Sequence, residues 1–113
     1  MRRNTLAAHP GREPDESASK CRYDVIAIGA SAGGLHSISQ VLAPLPATLC
    51  CGILIVQHLS PEHKSMMAEI LLRRTALRVS QARDGEPIQA GVVYIAPPNL
   101  HLLAEPGNVR LLR

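Results

Sequence analysis

Tyr23-Asp24-Val25-Ile26-Ala27-Ile28-Gly29-Ala30-Ser31-Ala32-Gly33-Gly34 is the stretch that decides the fold. Asp24–Ile28 is nearly continuously apolar, as expected of a strand covered on both faces in a parallel sheet. The glycines that follow allow a sharp turn with Ser31 at its apex, and a helix is expected from about Gly34 to Leu42. The turn carries Gly-x-Ser-x-Gly, a pattern that presents a serine hydroxyl at the exposed end of a strand beside a helix N-terminus. Free N–H groups and the positive dipole end there favour negative charge developing next to that hydroxyl. Ser31 is therefore the candidate nucleophile. Two blander readings stay open: a phosphate-binding turn without covalent chemistry, and a serine that merely caps the helix. The dinucleotide fingerprint would need a glycine where Ser31 stands, and the Gly-Lys-Ser/Thr ending of the Walker A loop is absent.

Beyond this junction the helix shows a one-sided stripe, Leu35, Ile38, Val41 and Leu42, and Pro44 and Pro46 end it. Cys51-Gly52-Ile53-Leu54-Ile55-Val56 reads as a second buried strand. Ser60-Pro61-Glu62 is a helix start, and Met66, Met67, Ile70 and Leu71 are its core-filling side, ending near Arg73-Arg74. Leu77–Ala82 is expected to be a third strand, Asp84-Gly85 a turn and Val92–Ala96 a fourth strand. His101–Ala104 and Val109–Leu112 form a hairpin around Pro106-Gly107-Asn108. This order implies an α/β fold, a three-layer Rossmann-like sandwich with a mostly parallel sheet.

The chain has 113 residues, enough for at most one small domain. Its hydrophobic content is 46% without any Phe or Trp, so Leu, Ile, Val, Ala and Met must form the core. The scarcity of aromatic platforms argues against single-strand nucleic-acid binding. The net charge of +3 owes much to Arg2, Arg3, Arg12, Lys20 and Arg22, before or at the first strand. Residues 1–20 are expected to be a disordered leader and 21–113 the folded part. Three cysteines, two adjacent and none in CxxC spacing, suggest core thiols in a reducing cytoplasm rather than a disulfide or zinc site. No run resembles a signal segment or a membrane span, so a cytoplasmic location without membrane insertion is expected.

His58 stands at the end of the second strand in Val56-Gln57-His58-Leu59. In open α/β sheets functional groups gather beyond the carboxyl ends of the strands. Strands carrying Ser31 and His58 to one edge, if adjacent, lie about 5 Å apart. A histidine there can take the serine proton and return it to the leaving group. A metal site from His58, His63 and His101 is conceivable, but their spacing is not diagnostic and no metal site is expected; His36 falls on the first helix beside its apolar stripe.

Ile28–Leu35, Val56–Leu59, Asp84-Gly85-Glu86-Pro87 and Gly91–Pro98, in that order, resemble the catalytic domain of the CheB-type protein-glutamate methylesterases of bacterial chemotaxis. The resemblance runs from about Tyr23 to Arg113. It implies a cofactor-free Ser-His-Asp hydrolase that demethylates γ-glutamyl methyl esters on the cytoplasmic domain of chemoreceptors, with glutamine deamidation in some members. By motif Ser31 is the nucleophile, His58 the base, and the N–H groups near Ala32 and Gly33 the oxyanion donors. The third triad residue belongs to a later Gly- and Asp-containing loop, beyond Arg113, so the C-terminal part of the domain is expected to be missing.

Neither Asp24, Asp84 nor Glu62 replaces that acid, and the short leader does not supply the phosphorylatable receiver domain that many members carry. Loss of an orienting carboxylate costs on the order of 10⁴ in turnover. The chain alone is therefore expected to be weakly active at best and poorly stable. A catalytically incomplete signalling or docking module, with Ser31 kept as a helix cap, is the alternative.

Overall fold

The computed structural model describes residues 21–31, 33–57 and 66–113; the expected leader, Ala32, His58 and the helix start at Ser60 lie outside them. Strand β1 spans Val25–Ala30, helix α1 Leu35–Leu42, β2 Gly52–Gln57, α2 Met67–Leu72, β3 Arg78–Gln81 and β4 Val92–Ile95. The chain then forms β5, His101–Glu105, and β6, Asn108–Leu112. The first four strands make one parallel sheet in the order β1-β2-β4-β3, and β5 and β6 pair antiparallel as a separate hairpin. Every strand expected from the sequence is present.

Alternation along β2 and β4 divides the core in two. Ile53, Ile55, Val93 and Ile95 face α1 and α2, where they pack with Ile38, Leu42, Met67, Leu71 and Leu77. Leu54, Val92 and Tyr94 face the other way and meet Val109, with Leu102 and Leu111 packed against them. Among the described residues, both helices thus cover one face of the sheet and the hairpin contributes to the cover of the other. Tyr94, 2% exposed, is the aromatic side chain of this second cluster. The Gln89 N–H donates to its Oη over 2.8 Å, and the hydroxyl donates to Pro87 O over 2.9 Å. Asp84 ties the same connection to β6: its Oδ1 accepts from Leu111 N–H at 2.9 Å and lies 3.2 Å from Arg110 Nε.

Four sequence expectations need correction. The apolar run of β1 was expected to be buried on both faces; among the described residues β1 pairs on one side only, with β2, and Ile26 is 38% exposed with Ala27 and Gly29 open. An apolar run shows that a strand tolerates cover, but position in the sheet decides whether it receives any; central β2 carries the buried positions. On α1 the stripe is displaced: Val41 is 53% exposed, and the inward positions are Ile38, Ser39 and Leu42. Ser39 tolerates burial because its Oγ donates to Leu35 O over 2.9 Å and accepts from Arg74 Nη1 over 3.2 Å. Of the two methionines, Met67 enters the core whereas Met66 occupies the N-cap position and is exposed. Finally, Cys21 and Cys50 form a disulfide and only Cys51 remains a thiol. The register Val25↔Gly52 sets the segments entering β1 and β2 side by side, bringing the two Cα atoms to 5.4 Å. Spacing along the chain carries no sign of that approach.

Candidate active site at the carboxyl edge of the sheet

Strand β1 ends at Ala30, and Ser31 follows it, exposed. The chain reverses over Ser31–Gly34, closed by a hydrogen bond of 2.9 Å from Gly34 N–H to Ser31 O. Gly33, at the third position, has φ +89°, which a non-glycine residue adopts only under strain. Gly34 meets a different demand. A Cβ on it would lie 2.6 Å from Ala30 Cβ and 3.0 Å from Ser31 O, so the turn folds back on the strand end only because that side chain is missing.

Gly34 is also the N-cap of α1, and its carbonyl accepts the Ile38 N–H at 2.9 Å. No side chain caps this helix. The reading of Ser31 as the helix cap is thereby overturned: the cap lies three residues on, and the turn holds the serine apart from the helix.

Strand β2 runs parallel to β1 in the register Ala30↔Gln57, so the two strands end side by side. Gln57 Nε2 donates to Ser31 O over 3.1 Å, joining the two strand ends directly. Sequence reasoning passed over Gln57; the available signal was a carboxamide closing an otherwise apolar strand. His58 follows Gln57 in the chain and, with Ala32, lies outside the described residues.

Of the acids considered, Glu62 lies outside the described residues, and the other two stand away from Ser31. Asp24 precedes β1 at the opposite end, and the Asp84 carboxylate is engaged by Leu111 and Arg110. Among the described residues no group of His, Cys, Asp and Glu has an arrangement that could hold a metal ion. A concavity of about 400 Å³, lined by Asp24, Cys50, Cys51, Ile88 and Glu105, opens at the amino end of the strands, away from Ser31.

A parallel sheet that presents a glycine-flanked serine at the carboxyl end of a strand puts that serine where functional groups gather in open α/β sheets. The CheB methylesterase family model matches residues 26–113, and the chain belongs to that family. The crystal structure of the Thermotoga maritima CheB methylesterase catalytic domain superposes with a TM-score of 0.67 at 35% identity, over 79% of this chain and 48% of that one. A protein-glutamate methylesterase/protein-glutamine glutaminase of Hydrogenovibrio crunogenus is 42% identical over 101 residues, 89% of this chain and 26% of that protein. A relative from Leptospira interrogans is 39% identical over 83 residues, 74% of this chain and 43% of that protein. The chain thus spans less than half the length of these relatives.

Proposed function

We propose that this chain carries the nucleophile and the general base of a protein-glutamate methylesterase. The Ser31 oxygen attacks the carbonyl carbon of a glutamyl methyl ester while His58 takes its proton. The tetrahedral oxyanion is bound by N–H groups near Ala32 and Gly33. On collapse the C–O bond to the methoxy group breaks, and the proton from His58 leaves with it as methanol. Water, deprotonated by His58, then attacks the acyl carbon; the bond to the Ser31 oxygen breaks, His58 returns the proton to that oxygen, and the glutamate is freed. On the same machinery a glutamine side chain loses ammonia instead. The reaction as written uses only side chains, backbone and water.

The observation that carries this reading is the exposed Ser31 turn on β1 beside β2, in a chain of this family. The relatives' names, protein-glutamate methylesterase/protein-glutamine glutaminase, support a methylated protein glutamate as the substrate class; on this reading the glutamate belongs to a chemoreceptor's cytoplasmic domain and the protein acts in the cytoplasm. Among the described residues no helix is long and apolar enough to cross a membrane.

The test is methanol release from methylated receptor by the protein with its catalytic domain complete and by the Ser31→Ala variant of the same protein. Loss of release by a factor of at least about 10³ is expected, since removing a triad nucleophile eliminates the covalent route. Near-normal release by Ser31→Ala would overturn the assignment. A serine-reactive phosphonate probe separates hydrolase from docking module, because only an activated hydroxyl is labelled rapidly.

A further inference from the structure

We propose that Gln57 is a positioning residue: its carboxamide holds the Ser31 turn against the strand that leads to His58. The proposal rests on the reading of Ser31 as nucleophile.

Ser31 O accepts two hydrogen bonds of different reach. The bond from Gly34 N–H, 2.9 Å, is local and sets the shape of the turn. The bond from Gln57 Nε2, 3.1 Å, comes from 26 residues away and sets where that turn sits relative to β2. Gly34 packs against Ala30 and Ser31 O and so ties the turn to the end of its own strand. Among the described residues Ser31 is exposed, and a Cβ placed on Gly29 or Gly33 would meet no heavy atom beyond the neighbouring residues within 4 Å. The Gln57 hydrogen bond adds the tie between this turn and β2.

Gln57 has the right position and chemistry for this task. It shares its face of β2 with Ile53 and Ile55, the face that carries α1, onto which the Ser31 turn leads. It stands opposite Ala30 at the last register position of the β1–β2 pair. Beside the Gly34 N–H, Ser31 O has a second lone pair that a carboxamide donor can engage and an apolar side chain cannot. The peptide unit leaving Ser31 is planar, so a carbonyl held from two directions fixes that plane and steadies the serine Cα beside it. Misplacing a nucleophile by an ångström lowers turnover by up to about a hundredfold, while ground-state binding by the rest of the site is untouched.

The experiment uses the intact protein with Gln57→Met, which keeps the length and removes the donor, and Gln57→Lys, which restores one. For Gln57→Met, kcat for methanol release is expected to fall roughly ten- to a hundredfold with KM within about twofold, and phosphonate labelling of Ser31 slows in parallel. Gln57→Lys should recover most of the lost kcat. Ser31→Ala, measured alongside, separates the two failures. If it abolishes release while Gln57→Met keeps kcat within twofold, the positioning role is overturned and the nucleophile stands. If Gln57→Met lowers kcat only together with the melting temperature, and Gln57→Lys does not recover it, the residue is structural and the proposal fails. If Ser31→Ala retains release, both assignments fall.

Discussion

Cys21 and Cys50 are joined across the entrances to β1 and β2, 29 residues apart in the chain and 5.4 Å apart between Cα atoms. The bond closes a loop that contains β1, the Ser31 turn and α1. In the chain-entropy account, closing a loop of this size stabilises the folded state by about 3–4 kcal/mol. Dithiothreitol is therefore expected to lower the melting temperature by several degrees or more, and Cys21→Ser to remove the response. Equal melting temperatures with and without reductant would rule the stabilisation out. Glutathione in a reducing cytoplasm keeps thiols open. Trapping thiols during cell lysis would show the state of the pair in the compartment proposed for it.

Gly34→Ala and Gly29→Ala should differ sharply. The first places a methyl 2.6 Å from Ala30 Cβ, a rigid neighbour that cannot rotate away. A shift of the turn is expected to cost about 1–3 kcal/mol, the usual range for overpacking. Labelling of Ser31 by a phosphonate probe should slow with it. Among the described residues Gly29→Ala meets nothing within 4 Å, at an ordinary backbone conformation, and is expected to leave stability within about 1 kcal/mol. Denaturant unfolding of both variants checks the contrast, and equal midpoints would contradict it.

Tyr94→Phe removes one oxygen from the face of the sheet toward the hairpin. That oxygen accepts from Gln89 N–H and donates to Pro87 O. Both backbone groups would lose a partner beside a buried ring, at a cost of about 1–3 kcal/mol. The denaturation midpoint should fall with the m-value unchanged, because the surface exposed on unfolding is the same. An unaltered midpoint would show that water replaces the hydroxyl.

Burial pushes the Cys51 thiol above its ordinary pKa, and the nearby Asp24 carboxylate raises it further. The folded state thus favours the protonated thiol. Its contribution to stability is complete below the unfolded thiol's pKa and is lost as pH rises through the folded one, because the unfolded chain gives up its proton first. In the native state at pH 8, iodoacetamide should modify Cys51 at least roughly tenfold more slowly than in the urea-unfolded chain. Equal rates would show that the thiol is open to solvent.

The order of strands and helices was legible in the sequence because β1, β2 and β4 are largely apolar runs, and glycines, prolines and charged turns punctuate the chain between the elements. The Ser31 turn was legible for the same reason: Gly33 supplies a positive φ and Gly34 the absence of a Cβ, both local demands that a residue type satisfies by itself. The face of α1 was less so, since Ser39 is buried through bonds to Leu35 and Arg74, and Arg74 is distant in the chain.

What the sequence determined is therefore local: which segments extend, which coil, and where a serine is lifted clear of a strand. Tertiary structure decided everything that depends on who lies beside whom. Among the described residues it paired β1 on one side and β2 on both, although both read as apolar runs. It joined Cys21 to Cys50, paired Ala30 with Gln57, and so gave Ser31 O its second hydrogen-bond donor. The physical reason is that period and composition record the preference of a chain for burial or turning, whereas register is a relation between strands far apart in sequence.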